Sequence, residues 1–443
     1  MLFTALWASL ALAGAPEDSL KAGIAAQRAD DAPGAIRHYT SCLEQDADHV
    51  ACHWEIGWSY WTTSDWERVV EHWERVKALD ATHAQVDRWL PVAQSNLEGR
   101  QRMRDAKAAA PAVARPPLPE GKTVRLRLVG DIMIGTTSPH PTDHLPPEDG
   151  RTYFDAVTDL LSDADITFGN LEGPLCDTTD VADKCQGDAP CYAFRQPTRY
   201  ADLLRGAGFD LMSIANNHMM DFGEVCRAQT REALDRVGIA WSGPPGTVAT
   251  VTVDGIRVGM IAFHTAKHSN YVNDHETAKQ LVEFARRDHD LVIVSFHGGA
   301  EGSKATRVPD RMEMFYGEQR GHLRQFAREV IAAGAHLVVG HGPHVLRAME
   351  VVDGHLVAYS LGNFATYARF NLSGAMGVTT ILEVELDHRG KFIRGKAIPI
   401  RQLASGIPTP DPEGLAIGQL RDLSELDFPK TKPTIAQDGT FAP

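Results

Sequence analysis

Five short apolar runs in the middle of the chain each stop abruptly at a cluster of glycine and donor-bearing residues. That pattern restricts the fold more than any other feature. Residues 124–129 end at Gly130-Asp131, residues 165–168 at Gly169-Asn170-Leu171-Glu172-Gly173, and residues 209–214 at Ala215-Asn216-Asn217-His218. Residues 291–296 end at His297-Gly298-Gly299-Ala300-Glu301, and residues 336–339 at Gly340-His341-Gly342-Pro343-His344. Helical stretches lie between them, so the segment reads as alternating strands and helices, an α/β domain with buried strands. Ligand sites of such sheets gather beyond the carboxyl ends of the strands, where all five polar clusters fall.

Asp, Glu, Asn and His supply the oxygen and imidazole donors that hold divalent ions. A two-metal hydrolase needs several of them converging from different loops. The joint occurrence of five such clusters therefore points to a metal site. The motifs Gly130-Asp131-Ile132-Met133-Ile134-Gly135, Gly169-Asn170-Leu171-Glu172-Gly173-Pro174-Leu175, Ala215-Asn216-Asn217-His218 with Asp221, Gly340-His341-Gly342-Pro343-His344-Val345 and Tyr359-Ser360-Leu361-Gly362-Asn363-Phe364 resemble the CapA-type poly-γ-glutamate capsule biosynthesis proteins. That family is related to the calcineurin-like metallophosphoesterases, and the resemblance runs from about residue 123 to 400.

The resemblance implies a metallophosphoesterase-like α/β sandwich and a division of labour. Asp131, Glu172, Asn217, His297, His341 and His344 would bind one or two divalent ions, with manganese, iron or zinc each suited to the donors. Glu172 would bridge, with Asn170 as its substitute. His218 would be the catalytic acid or phosphate-orienting imidazole. Asn170, Asn216, Glu301 and Asn363 would lie against substrate. Two departures stand out: the phosphoesterase Asp-x-His is here Asp131-Ile132-Met133, and glycine occupies position 342 between the histidines. A thioether is a poor donor for a hard ion, so one ion would be held weakly or not at all.

The N-terminal third is different. Residues 16–107 read as helical, with a 34-residue period: Gly23 returns as Gly57, Ala35 as Val69, Tyr39 as Trp73, Cys42 as Val76 and Asp46 as Asp80. This resembles tetratricopeptide repeats, which bind partners rather than do chemistry. Trp54, Trp58, Trp61, Trp66 and Trp73 read as core and groove packing. The expected architecture is thus a small all-α tetratricopeptide-like domain followed by the sandwich at 122–402. An Ala/Pro-rich linker at 108–121 separates them, and a tail covers 403–443.

Ahead of Glu17, the first charged residue, runs an apolar stretch too short to span a bilayer, followed by small residues. It reads as a signal peptide over residues 1–15, placing the protein in the periplasm, the cell envelope or outside the cell. No other run approaches the length of a membrane span. Six cysteines, Cys42, Cys52, Cys176, Cys185, Cys191 and Cys226, match no paired zinc spacing and suit disulfides in an oxidising compartment, with connectivity open. With 44 Lys+Arg against 58 Asp+Glu, the net charge of −14 excludes a nonspecific nucleic-acid binder. Two functions fit: a metal-dependent hydrolase of envelope or capsule polymer, or a noncatalytic assembly factor. The latter's ion site would hold an anionic polymer while its repeats recruit a protein partner.

Overall fold

The computed structural model describes residues 15–108, 121–139, 144–178, 182, 192–403 and 405–443. Residues 1–14 of the expected signal peptide, 109–120 of the expected linker, Cys185 and Cys191 lie outside them. The chain divides into two compact units between Gln101 and Arg102. No described helix is long and apolar enough to cross a membrane.

The first unit opens with two helix pairs, Pro16–Arg28 with Ala32–Gln45 and Val50–Thr62 with Trp66–Leu79, and the helix Ala84–Ala108 begins in it and continues past its boundary at Gln101. The second helix of each pair starts at an aspartate whose carboxylate accepts from a backbone N–H: Asp31 from Gly34 at 2.9 Å, Asp65 from Arg68 at 3.3 Å. The 34-residue offset recurs in the packing. Tyr39 lies across Gly23, and Trp73 lies across Gly57 so closely that a Cβ there would sit 2.1 Å from its indole nitrogen. Cys42 and Cys52 form a disulfide, and their counterparts Val76 and Val86 fill the same places with apolar packing.

Gly57→Ala tests this contact. Alanine alone would gain about 0.5–1 kcal/mol of helix propensity, whereas overpacking against Trp73 costs about 1–3 kcal/mol. A net loss is expected as a lower denaturant midpoint, and an unchanged or raised midpoint would show that the helices part freely.

The second unit is a helix–sheet–sheet–helix sandwich, the α/β architecture expected. In the first sheet, Thr123–Met133, Ile166–Leu171, Leu211–Ser213 and Ala240–Ser242 run parallel. On its other side, Thr123–Met133 pairs parallel with Asn363–Thr366 and antiparallel with Val378–Asp387. In the second sheet, Ile256–His264, Leu291–His297, Leu337–His341 and His355–Ala358 run parallel. Leu126, Leu128 and Phe168 of the first sheet share one core with Met260, Ile293 and Val339 of the second. The outer faces are covered by helices, Tyr200–Gly206 and Gly223–Val237 on the first sheet, His275–Arg286 and Leu323–Ala332 on the second.

Residues 403–443 are not a tail. Pro408–Pro410 and Thr440–Ala442 pair with Phe392–Gln402, and the helix Leu415–Asp427 buries Ala416, Ile417 and Leu420 in the core. The apolar spacing within this helix is what holds it to the sheet.

Candidate metal centre

Side chains alternate between the two faces of a strand, so one stripe of each strand faces the opposite sheet. In the second sheet these stripes are Met260, Ala262; Leu291, Ile293; and Leu337, Val339. Continued by the same parity, they end in His264, His297 and His341. Those three residues are direct neighbours across the sheet, His264 opposite His297 and His297 opposite His341. In the first sheet, Ile166 and Phe168 continue to Asn170 and Glu172.

The Asp131 strand needs a correction of its own. Leu126 and Leu128 face inward and Val129 outward, yet Ile132 and Ile134 lie with the outer cluster. A register shift between Leu128 and Asp131 reverses the parity and turns Asp131 inward. Its N–H donates to Gly362 O at 2.9 Å, and the approach is so close that a Cβ on Gly130 would lie 1.9 Å from that oxygen. Only glycine fits there.

The two stripes meet at the carboxyl ends of both sheets. His297 Nε2 lies 3.9 Å from Glu172 Oε1, and His344 Nε2 lies 3.7 Å from the same oxygen. His344 Nδ1 is 3.1 Å from Asp131 Oδ2, and His341 Nδ1 is 3.5 Å from Asp131 Oδ1. One donor atom from each of Asp131, Glu172 and His344 falls within 4.8 Å of the others. His344 takes a left-handed backbone, φ 61°, a strained conformation for a side-chain-bearing residue and one concentrated at functional sites.

Several of these atoms have nothing to bond. Both carboxylate oxygens of Glu172, Asn217 Oδ1, His297 Nε2 and both ring nitrogens of His341 are buried without a hydrogen-bond partner among the described residues. Such a group of bare polar atoms, most of them acceptors, is costly unless a cation satisfies it. Burial, then the neighbouring Asp131 charge, push the Glu172 carboxyl well above the usual range. Burial opposes a charge on His344, but Glu172 and then Asp131 outweigh it and raise its pKa to about 10. Burial would also raise Asp131, but the His341 and His344 imidazoles against it hold it below the usual carboxylate range. His297 is lowered well below its ordinary value by burial.

The asparagines expected against substrate are placed otherwise. Asn170, Asn216 and Asn363 are fully buried and occupied. Asn170 Nδ2 donates to Asp131 Oδ1 at 2.9 Å, and Asn216 Nδ2 donates to Leu171 O at 2.8 Å and to Asn170 Oδ1 at 3.3 Å. Asn363 Nδ2 donates to Met376 O at 3.1 Å, and its Oδ1 faces His344 Nδ1 at 3.0 Å. They brace the centre instead of lining an opening, because short amides at strand ends are within reach of neighbouring backbone. Asn170 is thereby committed to Asp131 and Asn216, which leaves Glu172 as the carboxylate at that edge. Glu301 is different: partly exposed, it accepts from Arg320 Nη2 at 2.7 Å and lies 4.0 Å from His344 Nε2.

His218 stands at the edge of the donors. Its Nδ1 is 2.8 Å from Asp221 Oδ2, and its ring packs 4.1 Å from that of Phe194. Asp221 Oδ2 also accepts from the Phe194 N–H at 2.8 Å. Phe194 in turn stacks on Phe370, 5.2 Å away, which lies 5.3 Å from the His344 ring. Cys176 and Cys226 form a disulfide beneath this segment, in one buried cluster with Ala193 and Phe222. Two residues beside the centre were absent from the sequence-derived set, His264 and Arg320. Parity was the available signal for His264, since it ends the apolar run 258–263 as His297 ends its own. Nothing local marks Arg320, which reaches the site through Glu301 and Gly299 O.

Residues 125–368 match the family model described as bacterial capsule synthesis protein PGA_cap. The chain belongs to that family. It is 26% identical over 253 residues to the PGA biosynthesis protein CapA of Bacillus subtilis (strain 168), covering 53% of this chain and 61% of that protein. To the capsule biosynthesis protein CapA of Bacillus anthracis it is 26% identical over 297 residues, covering 62% and 66%. The chain thus matches less than two thirds of the length of each of these relatives. Among solved structures, purple acid phosphatase PPD1 from yellow lupin is similar at a TM-score of 0.33 and 11% identity, over 68% of this chain and 56% of that one. A likeness of that size bears on neither the site nor its chemistry.

Proposed function

We propose that this chain is an exported, metal-dependent hydrolase acting on an anionic polymer of the cell envelope or capsule, poly-γ-glutamate or a phosphoester-linked chain. The observation that carries this reading is the set of bare, buried donors on Glu172, Asn217, His297 and His341, next to the His218–Asp221 pair. The donors are those that manganese, iron or zinc accept, so the residues fit the ion. When bound, such an ion polarises a substrate oxygen and lowers the pKa of a coordinated water.

The chain's own residues supply the rest. The Asp221 carboxylate accepts a hydrogen bond from His218 Nδ1–H and fixes that tautomer, which assigns proton exchange with the leaving group to Nε2. Phe194 covers one face of the imidazole and excludes water from it. Glu301, tied to Arg320, is the partly exposed acid at the rim. The two disulfides support an oxidising location. The helical repeats, read as tetratricopeptide-like, would hold a protein partner.

A second reading is favoured by one residue. Met133, buried at the end of its strand, stands where a two-ion phosphoesterase has a histidine, which suits an assembly factor that binds polymer without cleaving it. Metal analysis of purified protein, with assays on a generic phosphodiester and on γ-glutamyl polymer, tests both. Bound ion with hydrolysis of either substrate is expected. Bound ion with polymer binding and no cleavage would establish the second reading instead.

A further inference from the structure

Two chain segments lead away from the centre, each beginning at one of its imidazoles. The His344 ring stands 5.3 Å from Phe370, and the His218 ring stands 4.1 Å from Phe194. Phe194 and Phe370 stack on each other at 5.2 Å, so the segments meet beside the centre. They meet again at the neighbouring residues, where Arg369 Cζ lies 5.4 Å from the ring of Tyr192. Phe194 is buried and Tyr192 exposed, which puts this second meeting on the solvent side. Two phenyl rings thus continue outward into a tyrosine and a guanidinium.

Both segments are held by backbone contacts. The Phe194 N–H donates to Asp221 Oδ2 at 2.8 Å. The strand Asn363–Thr366 carries the other segment to Tyr367, whose N–H donates to Met133 O at 2.9 Å. There the chain turns sharply: the Arg369 N–H donates to Tyr367 O at 2.8 Å across Ala368, whose φ is 65°. A three-residue turn of that hand is strained for a residue with a side chain. It sets Arg369 and Phe370 against residues 192–194 where a continued strand would not.

Arg369 also differs from the arginines paired near the centre. Arg320 is held by Glu301 and Arg347 by Glu313. Among the described residues Arg369 has neither a carboxylate nor a side-chain hydrogen bond, and its Nε is buried with no acceptor. A partly dried, unpaired guanidinium is costly, and an incoming anion offsets that cost.

We propose that Arg369, with Tyr192, Phe194 and Phe370, forms a binding subsite for the anionic group of a polymer unit beside the centre. Carboxylate and phosphodiester both present two oxygens to the guanidinium fork, and the Tyr192 ring steadies it through a cation–π contact. The phenyl rings pack against the carbon atoms that separate one charge from the next. Arg369 is thereby a specificity-determining residue that requires charge in the repeat. The inference rests on the reading of the substrate as an anionic polymer.

The test measures equilibrium binding to the full chain loaded with Zn²⁺, in the His218→Ala background so that turnover does not consume the probe. The probes are a γ-glutamyl oligomer, the same oligomer methyl-esterified, and a phosphodiester-linked glycerol oligomer. Adding Arg369→Gln should weaken one or both charged oligomers about 10- to 100-fold, the range for hydrogen bonds to a charged group, with Zn²⁺ content unchanged. Arg369→Lys should recover part of the loss. The esterified oligomer should bind equally with and without Arg369, a distinction that a merely structural role would not make. Which charged oligomer depends more on Arg369 identifies the anion. Affinities indifferent to Arg369, or an equal loss for charged and esterified oligomers, would overturn the subsite. Affinity that depends on Arg369 in a chain whose His218 form cleaves nothing would keep the subsite and remove the hydrolase reading. Cleavage with affinity indifferent to Arg369 would do the reverse. Tyr192→Ala, at an exposed position, should weaken the charged oligomer by a smaller factor and carries the test where Arg369→Gln fails to fold.

Discussion

His218→Ala is expected to slow hydrolysis by about 10²- to 10⁴-fold while the ion stays bound. The imidazole is committed through Nδ1 to Asp221 at 2.8 Å, and its work in the proposed reaction is on a proton. Asn217, its neighbour in sequence, has a bare buried amide oxygen and a different task. Asn217→Ala should lower ion content and turnover together. Parallel measurement of ion stoichiometry and rate for both variants separates the two residues. Equal loss of ion in both would show that His218 is a ligand.

Phe168→Ala is expected to destabilise the second unit by about 3–5 kcal/mol, the range for deleting a large buried ring. Phe168 is fully buried in the core between the sheets, and its ring lies 5.7 Å from that of His341. The cavity would thus open under one of the bare imidazoles. Denaturant unfolding of the ion-free protein measures the stability loss, and a zinc titration of the same variant measures what reaches the centre. Weaker zinc binding alongside the lower stability is the expected pair. A loss below about 1 kcal/mol would mean that the core collapses around the gap.

Much of this was readable from residues. The strands announced themselves because each is a short apolar run that stops at glycine and a donor, and buried parallel strands need that composition. The donors announced themselves because they recur at the same strand ends. What escaped depends on contacts between distant segments. Asn170, Asn216 and Asn363 carry the same donor chemistry as ligands, and only their partners show that they brace the site. The register shift before Asp131 leaves no mark beyond Gly130, because it is set by the adjoining strands. The helix Leu415–Asp427 has only a modest apolar stripe, and its use depends on the long strand Phe392–Gln402 lying beneath it. The pairing of Cys176 with Cys226 likewise became definite only with the segment folded back on its helix.

The in-register row of His264, His297 and His341 makes the centre far more sensitive to length than to composition. Adjacent strands sit about 4.8 Å apart, so the sheet acts as a ruler that sets the interval between imidazoles. Exchanging one apolar residue for another inside Leu291–His297 leaves that ruler intact. Adding or removing a single residue there does not, because every side chain beyond the change turns to the opposite face. After an insertion His297 would point into the helix-covered layer with Phe296 in its place, and an apolar ring would face Glu172; after a deletion Gly298 would stand there instead. Drift in this part of the chain is therefore confined to replacement, and insertions are tolerable only in the loops outside the strands.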